Sequence, residues 1–462
     1  MLIPRLVEAL GADAVKTQPE DLAVYAFDAY TEGLPPAAVV LPSSTAEVAA
    51  AVKVARDCGE PIVARGAGTG LCGGAAPVQG GVVVALTRMN RVLEYHPLQR
   101  RARVQPGLIN ADLSKRAAHD GLFYAPDPSS QKISTIGGNI ATNAGGPHCL
   151  SYGTTMNHVL GLEIVDERGE VFTTSIDRPG YDLTAAFVGS EGTLGIVTSA
   201  WVRLMRAPES VRVWLATFDD IDSASEAVSA IIAAGIVPTA LEMMDAIMTQ
   251  AVEAAFHAGY PTDAGAVLLI EHAGSDDDMD SYESAIAGIV RERGAGSWRS
   301  ARSQAERDAL WAGRKGAAGA MGRISPNYYL QDVCVRRSTL PKALHAVGEI
   351  ARAYQLTVAN VFHAGDGNLH PMLCYDRRDP KQVQAVVESG NEILKTAIAL
   401  GGTVSGEHGI GFEKREAMTA VYSAGDLATM ARVRDVFDPK RMLNPEKIFP
   451  NGAQCAEARA PQ

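Results

Sequence analysis

The chain has 462 residues, 47% of them apolar and 21% charged, and 42 Lys+Arg against 53 Asp+Glu leave a formal net charge of −11. A chain of this length builds an ordinary core without disulfide staples and corresponds to roughly two to four domains. The acidic balance, with no Lys/Arg run, argues against nucleic acid or an anionic membrane as the main partner and points to small ligands.

The N-terminal stretch lacks a charged segment followed by a long apolar one. The longest apolar stretch, 227–241, is interrupted by Ser229, Gly235 and Pro238, so no membrane span is expected. The expectation is a cytoplasmic protein, with membrane association only through partner subunits. Cys58, Cys72, Cys149, Cys334, Cys374 and Cys455 show no CxxC spacing, which predicts reduced, mostly buried thiols and no cysteine-ligated zinc or iron–sulfur site.

Taken in chain order, the first clear helix starts at Ser44 to Glu47, which has capping-box spacing. Val48, Ala51, Val52 and Ala55 form its apolar stripe, and Gly59 and Pro61 stop it. A strand at 62–64 leads into a glycine cluster, and β-branched runs at 81–86, 158–165 and 194–198 read as further strands between Gly/Pro/Asn loops. From about residue 207 the texture changes. Helices near 221–234, 245–258, 279–293, 303–320, 340–354 and 381–400 alternate with strands at 237–243, 265–272 and 328–335 and a strand pair around 357–374. This predicts a second, α+β domain, with a tail from about 425 to 462 free to return to the first.

Glycine concentrates at 65–74 (RGAGTGLCGG), 135–146 (TIGGNIATNAGG) and 189–195 (GSEGTLG). Lacking Cβ atoms, such loops let successive backbone N–H groups converge on a pyrophosphate. The first is spaced GxGxG, with no Walker-type lysine and no acidic residue closing a second strand, so the Rossmann and P-loop patterns both fit poorly. A different dinucleotide fold is needed.

The stretches PIVARGAGTGLCGGAAP (61–77), APDPSSQKISTIGGNIATNAGGPHCLSYGTT (125–155) and VGSEGTLGIVT (188–198) resemble the FAD-binding loops of the vanillyl-alcohol oxidase/p-cresol methylhydroxylase flavoproteins. The second half resembles the FAD-linked oxidase C-terminal domain. Within it, LWAGRKGAAGAMGRISPNYYLQD (310–332) is similar to the FAD-binding D subunits of glycolate oxidases, which are related to D-lactate and D-2-hydroxyglutarate dehydrogenases. The resemblance implies an α+β, two-domain flavoprotein. An FAD-binding domain would span 1–206, a substrate (cap) domain with a metal site 207–424, and a returning segment 425–462. It sets Arg65, Gly66, Ala67, Gly68, Thr69, Gly70, Pro126, Asp127, Ser130, Gly137, Gly138, Asn139 and Thr142 along the FAD. Glu191, Ile196 and Val197 would close on the cofactor, and Asn444 would reach back to it. Thr69 and Pro126-Asp127-Pro128 stand where other members attach flavin through His or Cys, which implies noncovalent FAD.

Residues 363–370 read HAGDGNLH between two apolar runs. With Asp366-Gly367 as the central pair of a type I′ turn, His363 falls opposite His370, about 5 Å apart at Cβ and able to share a metal ion. Glu407 and His408 sit between glycines, where side chains of adjacent residues are expected to diverge. The resemblance makes His363, His370 and Glu407 metal ligands, His408 the substrate-facing base and Arg314 the partner of the substrate carboxylate. Two His and a carboxylate suit Zn²⁺ first, and Mn²⁺ or Fe²⁺ can use the same set.

The implied reaction is FAD-dependent, metal-assisted oxidation of a 2-hydroxy acid, with hydride passing from C2 to flavin N5. Ala318, Leu330 with its neighbour Tyr329, and Met372 stand where the hydroxyglutarate enzymes carry polar residues, which favours glycolate or D-lactate. Electrons would pass to a partner or a quinone-type acceptor. Iron–sulfur and second FAD-domain subunits of a glycolate oxidase complex are the implied partners, and a homodimer is left open. Two alternatives stand beside this: a flavin-binding electron-transfer or scaffolding subunit, and a dehydrogenase for a longer D-2-hydroxy acid.

Overall fold

The computed structural model describes residues 1–29, 31–177 and 179–450. Cys455 and the rest of the tail from 451 lie outside the described residues. Two compact units form. One comprises Met1–Gly145, Gly153–Ala207 and the segment from Glu407 onward; the other comprises Gly146–Tyr152 and Pro208–Gly406. The chain thus leaves the second unit at Glu407, ahead of the returning segment expected from about 425. Backbone hydrogen bonds to first-unit loops, described below, hold this segment, and composition carries no trace of them.

Beside a two-stranded pairing of Leu122–Phe123 with Met205–Arg206, the described residues of the first unit form two larger sheets. In the smaller, strands Ala38–Val40, Val82–Ala85 and Ile62–Arg65 run parallel, with the short Val15–Lys16 antiparallel at one side. Such parallel pairing needs a crossover, and helix Thr45–Cys58 supplies it. Ser44 caps this helix by accepting from the Glu47 amide, and Gly59 ends it at φ 73°. Its stripe of Val48, Ala51, Val52 and Ala55 packs against Ile62, Val82 and Val84, so the periodicity seen in the sequence is the buried face. The second sheet is antiparallel, in the order Val92–His96, Arg101–Val104, Ile196–Arg203, Val159–Val165, Val171–Ser175.

The second unit is built on one antiparallel sheet. Its order is Ser297–Ser300, Ser210–Phe218, Ala266–Gly274, Ala240–Asp245, Val358–His363, Asn368–Tyr375, Asn327–Leu330, with the two-residue strand Val333–Cys334 also paired to Asn368–Tyr375. Sequence reading passes over Ser210–Phe218 and Ser297–Ser300. The longer of the two is buried on both faces from Val213 to Phe218, so it shows an apolar run in place of alternation. The expected single strand at 328–335 is instead two, interrupted at Gln331-Asp332, and the expected helix at 303–320 breaks at Gly316 into Gln304–Lys315 and Ala317–Ala320.

Helices Ala246–Phe256 and Gln304–Lys315 cover one face of this sheet through a core of Val213, Leu215, Met244, Val267, Leu269, Val361 and Met372. Alternation then puts Glu242, Glu271, His363 and His370 on that same face. Gly313 lets the two helices approach: a Cβ there would lie 2.9 Å from Tyr260 and 3.0 Å from Val252. That approach sets where the next residue, Arg314, enters the layer. Gly313→Val should therefore destabilise the protein by about 1–3 kcal/mol through overpacking, whereas Gly319→Ala, at an exposed helical position with open space around it, should be neutral or mildly stabilising. Thermal unfolding of the two variants checks the contrast.

Candidate active site

The hairpin of the second unit does not take the two-residue turn. His363 pairs with Asn368 and His370 with Val361, so 364–367 form a four-residue loop closed by the Gly367 amide on the His363 carbonyl (3.1 Å). Asp366 stays out of the left-handed region, while Gly367 adopts φ 79°, so the type I′ turn, which needs φ > 0 at both central residues, is not formed. The two histidines are diagonal neighbours on one face in place of a direct pair. Their rings still meet edge to face with centroids 5.2 Å apart, and each offers a ring nitrogen within 4.8 Å of the other. Both are buried.

Directly across the sheet from His363 stands Glu242. Its two oxygens lie 2.8 and 2.9 Å from His363 Nδ1, and it forms an ion pair with Arg314 Nη2, which also approaches His363 Nδ1 at 3.4 Å. The Glu242 side chain is fully buried and Arg314 nearly so, which rules out a helix-surface arginine. On the same face Glu271 binds His148 Nε2 (2.8 Å) and the Trp311 indole N–H (2.6 Å), Trp311 lying one helical turn before Arg314. Asp332, buried at the strand interruption, accepts from Ser405 Oγ (2.7 Å) and the Gly406 amide (3.1 Å) and stands 3.9 Å from His370 Nδ1. It thereby fixes the backbone just ahead of Glu407.

In the first unit, Glu407 and His408 occupy a bend, and their side chains converge to 3.7 Å in place of diverging. The His408 carbonyl accepts from Cys72 Sγ (3.0 Å), while the Cys72 carbonyl accepts the Phe412 and Glu413 amides. Cys72 is buried, and burial pushes its thiol well up. Glu191, at φ 52°, receives the Ile410 and Gly411 amides at 2.7 and 2.8 Å; burial raises its carboxyl to about 7 against the pull of those two bonds. Asn444 Nδ2 ties the Gly74 carbonyl to that of Glu191, and Lys447 donates to the Gly73 and Ala76 carbonyls. Burial lowers Lys447 to about 8. The tail also pairs with strand Ile62–Arg65: Ile62 N donates to Met442 O, and Asn444 N to Ile62 O.

These contacts hold the first glycine loop in place. Gly66 lies against the 135–138 turn, where a Cβ would sit 2.3 Å from Thr135 Oγ1, and Gly68 turns at φ 70° over Arg65. Arg65 itself braces the loop, donating to the Phe27 carbonyl (2.6 Å). Ala67, Thr69 and Gly70 follow in the same loop. The Pro126 carbonyl is held by Asn110, and Asp127 is buried. The Ser130 carbonyl accepts two turn amides, and Thr142 Oγ1 bonds the Gly138 carbonyl. Gly137 packs on Pro106 so closely that a Cβ would meet it at 2.4 Å. Ile196 points into the apolar core, and Val197 packs beside the neighbouring one. Ser134 Oγ, Asn139 Nδ2 and Asn444 Oδ1 are buried without partners among the described residues, which fits a polar ligand such as a dinucleotide against these loops.

Sequence reading missed Glu242, Asp332 and Lys447. The only signal for Glu242 is a lone charge inside the apolar run 240–244, and for Asp332 a polar break in a strand; Lys447 resembles any surface lysine. Because the Glu191 carboxyl is raised on folding, the folded state holds its proton more tightly, and stability falls as pH climbs from the ordinary glutamate range through about 7. Glu191→Gln should flatten that part of the profile of melting temperature against pH.

Two family models match the chain: an FAD binding domain over residues 36–175 and the C-terminal domain of FAD linked oxidases over 207–448. Glycolate oxidase subunit GlcD of Escherichia coli K12 is 45% identical over 91% of this chain and 85% of its own length, and GlcD of Bacillus subtilis is 39% identical over 97% of both. A D-lactate dehydrogenase of Anaerostipes hadrus is 33% identical over 89% of both. Among solved structures, p-cresol methylhydroxylase with substrate bound superposes with a TM-score of 0.80 at 17% identity, covering 97% of this chain and 96% of that one, which establishes the fold. The chain belongs to the FAD-linked oxidase family, with the two-domain α+β fold of p-cresol methylhydroxylase.

Proposed function

We propose that the chain oxidises a short 2-hydroxy acid, glycolate or D-lactate, to the corresponding 2-oxo acid. FAD is held noncovalently on the 66–70, 126–142 and 191–197 loops, and His363, His370 and Glu407 hold a divalent ion, Zn²⁺ foremost. The observation that carries this reading is the buried His363–His370 pair with Glu242 on one Nδ1, a donor set chemically suited to a metal. Likeness to glycolate oxidase subunits and a D-lactate dehydrogenase supports the substrate class.

When bound, the flavin supplies a two-electron acceptor and the metal a Lewis acid that acidifies an α-hydroxyl. His408 takes the hydroxyl proton at its ring while the C2–H bond gives up its hydrogen and two electrons. Arg314, with Nη2 committed to Glu242 and Nε buried without a partner among the described residues, offers Nε to the substrate carboxylate. Leu330 and Met372 face each other across paired strands, with Ala318 packed against the same apolar core. An apolar surface there suits a substrate with no second carboxylate.

No helix among the described residues is long and apolar enough to cross a membrane. We place the chain in the cytoplasm, passing electrons to iron–sulfur and second FAD-domain subunits of a glycolate oxidase complex or to a quinone-type acceptor.

Anaerobic mixing with glycolate or D-lactate should bleach the visible flavin band, a chelator should abolish the bleaching, and added metal should restore it. Bleaching indifferent to chelator would remove the metal from the reading. His408→Ala should lose flavin reduction by about 10²–10⁴-fold while keeping FAD and metal. Parallel loss of metal, measured by elemental analysis, would make His408 a ligand and not the base.

A further inference from the structure

We infer that Glu242 is the positioning residue for His363, with Arg314 as its counter-charge; this rests on the two-histidine metal reading above. Glu242 faces His363 directly in the strand register and places both oxygens within 2.9 Å of Nδ1. A carboxylate accepts only, so Nδ1 carries the proton and the lone pair is left on Nε2, the nitrogen that can meet an ion. The Arg314 guanidinium forms an ion pair with that carboxylate at its other edge. The anion then strengthens the imidazole as a donor and locks its ring plane.

The two histidines are held differently. Asp332 is engaged with Ser405 Oγ and the Gly406 amide and remains 3.9 Å from His370 Nδ1. The Arg314–Glu242 pair is also more than a packing feature, since a simple ion pair has no need of a histidine nitrogen against both carboxylate oxygens.

The test titrates Zn²⁺ into metal-stripped, FAD-loaded full chain in competition with a chromophoric chelator. Glu242→Gln removes the charge. Glu242→Asp keeps a charge for Arg314 but draws the carboxylate away from His363, which protects the fold. Either variant should bind Zn²⁺ about 10–100-fold more weakly than wild type with FAD content unchanged, and should shift the visible bands of a Co²⁺-loaded sample. Wild-type affinity and bands in a folded variant, even one with a lowered metal-free melting temperature, would overturn the inference and leave the metal reading standing. A wild-type chain that binds Zn²⁺ no better than His363→Ala would overturn both. Should neither variant fold, ¹⁵N–¹H correlation of the histidine rings in metal-free wild type decides the matter, with the His363 signal identified by its loss in His363→Gln. Nδ1–H is expected, and Nε2–H would overturn the inference.

Discussion

A carboxylate with no access to water, set in the middle of an apolar sheet, is the constraint around which the second unit is arranged. Glu242 is stable there only because a cation and a hydrogen-bond donor reach it at once. Arg314 and His363 do so from different elements, and each contact imposes a condition on the fold. The helix carrying Arg314 must lie close to its neighbour, which Gly313 allows. The hairpin carrying His363 must hold the register that sets this histidine opposite Glu242, which the four-residue loop allows. Helix approach, loop length and strand register are thus coupled through one buried charge.

The same sheet face serves as core and carries the residues of the proposed site. That face carries Leu, Val and Met under two helices and, in the same alternation, Glu242, His363 and His370. Site residues mounted on strands inherit the rigidity of the ladder, which is what a metal geometry or a hydride donor requires.

The first unit solves a different problem. Glycine-rich loops that admit a cofactor have little side-chain packing of their own, so they need bracing from outside. Lys447, Asn444 and the Ile410 and Gly411 amides, all from the segment after Glu407, provide it by bonding carbonyls of the first loop and the Glu191 carboxylate. The tail accepts backbone strain to do so: Asn444, Glu446 and Ile448 all lie in the left-handed region, which a β-branched isoleucine adopts only when its surroundings demand it.

Local order was legible from the residues alone. The capped helix Thr45–Cys58, the glycine loops, the break in texture near 207 and the two histidines on one sheet face all follow from short-range pattern, because capping, strand alternation and amphipathic periodicity are decided within a few residues. The family resemblance added FAD binding to this. The pairing that makes Glu242 a partner of His363, the interruption that buries Asp332 against Ser405, the convergence of Glu407 and His408, and the use of Lys447 as an internal brace were decided only by tertiary structure. Each joins residues far apart in the chain, and the free energy of a buried charge depends on what surrounds it in space; no window of sequence contains that information.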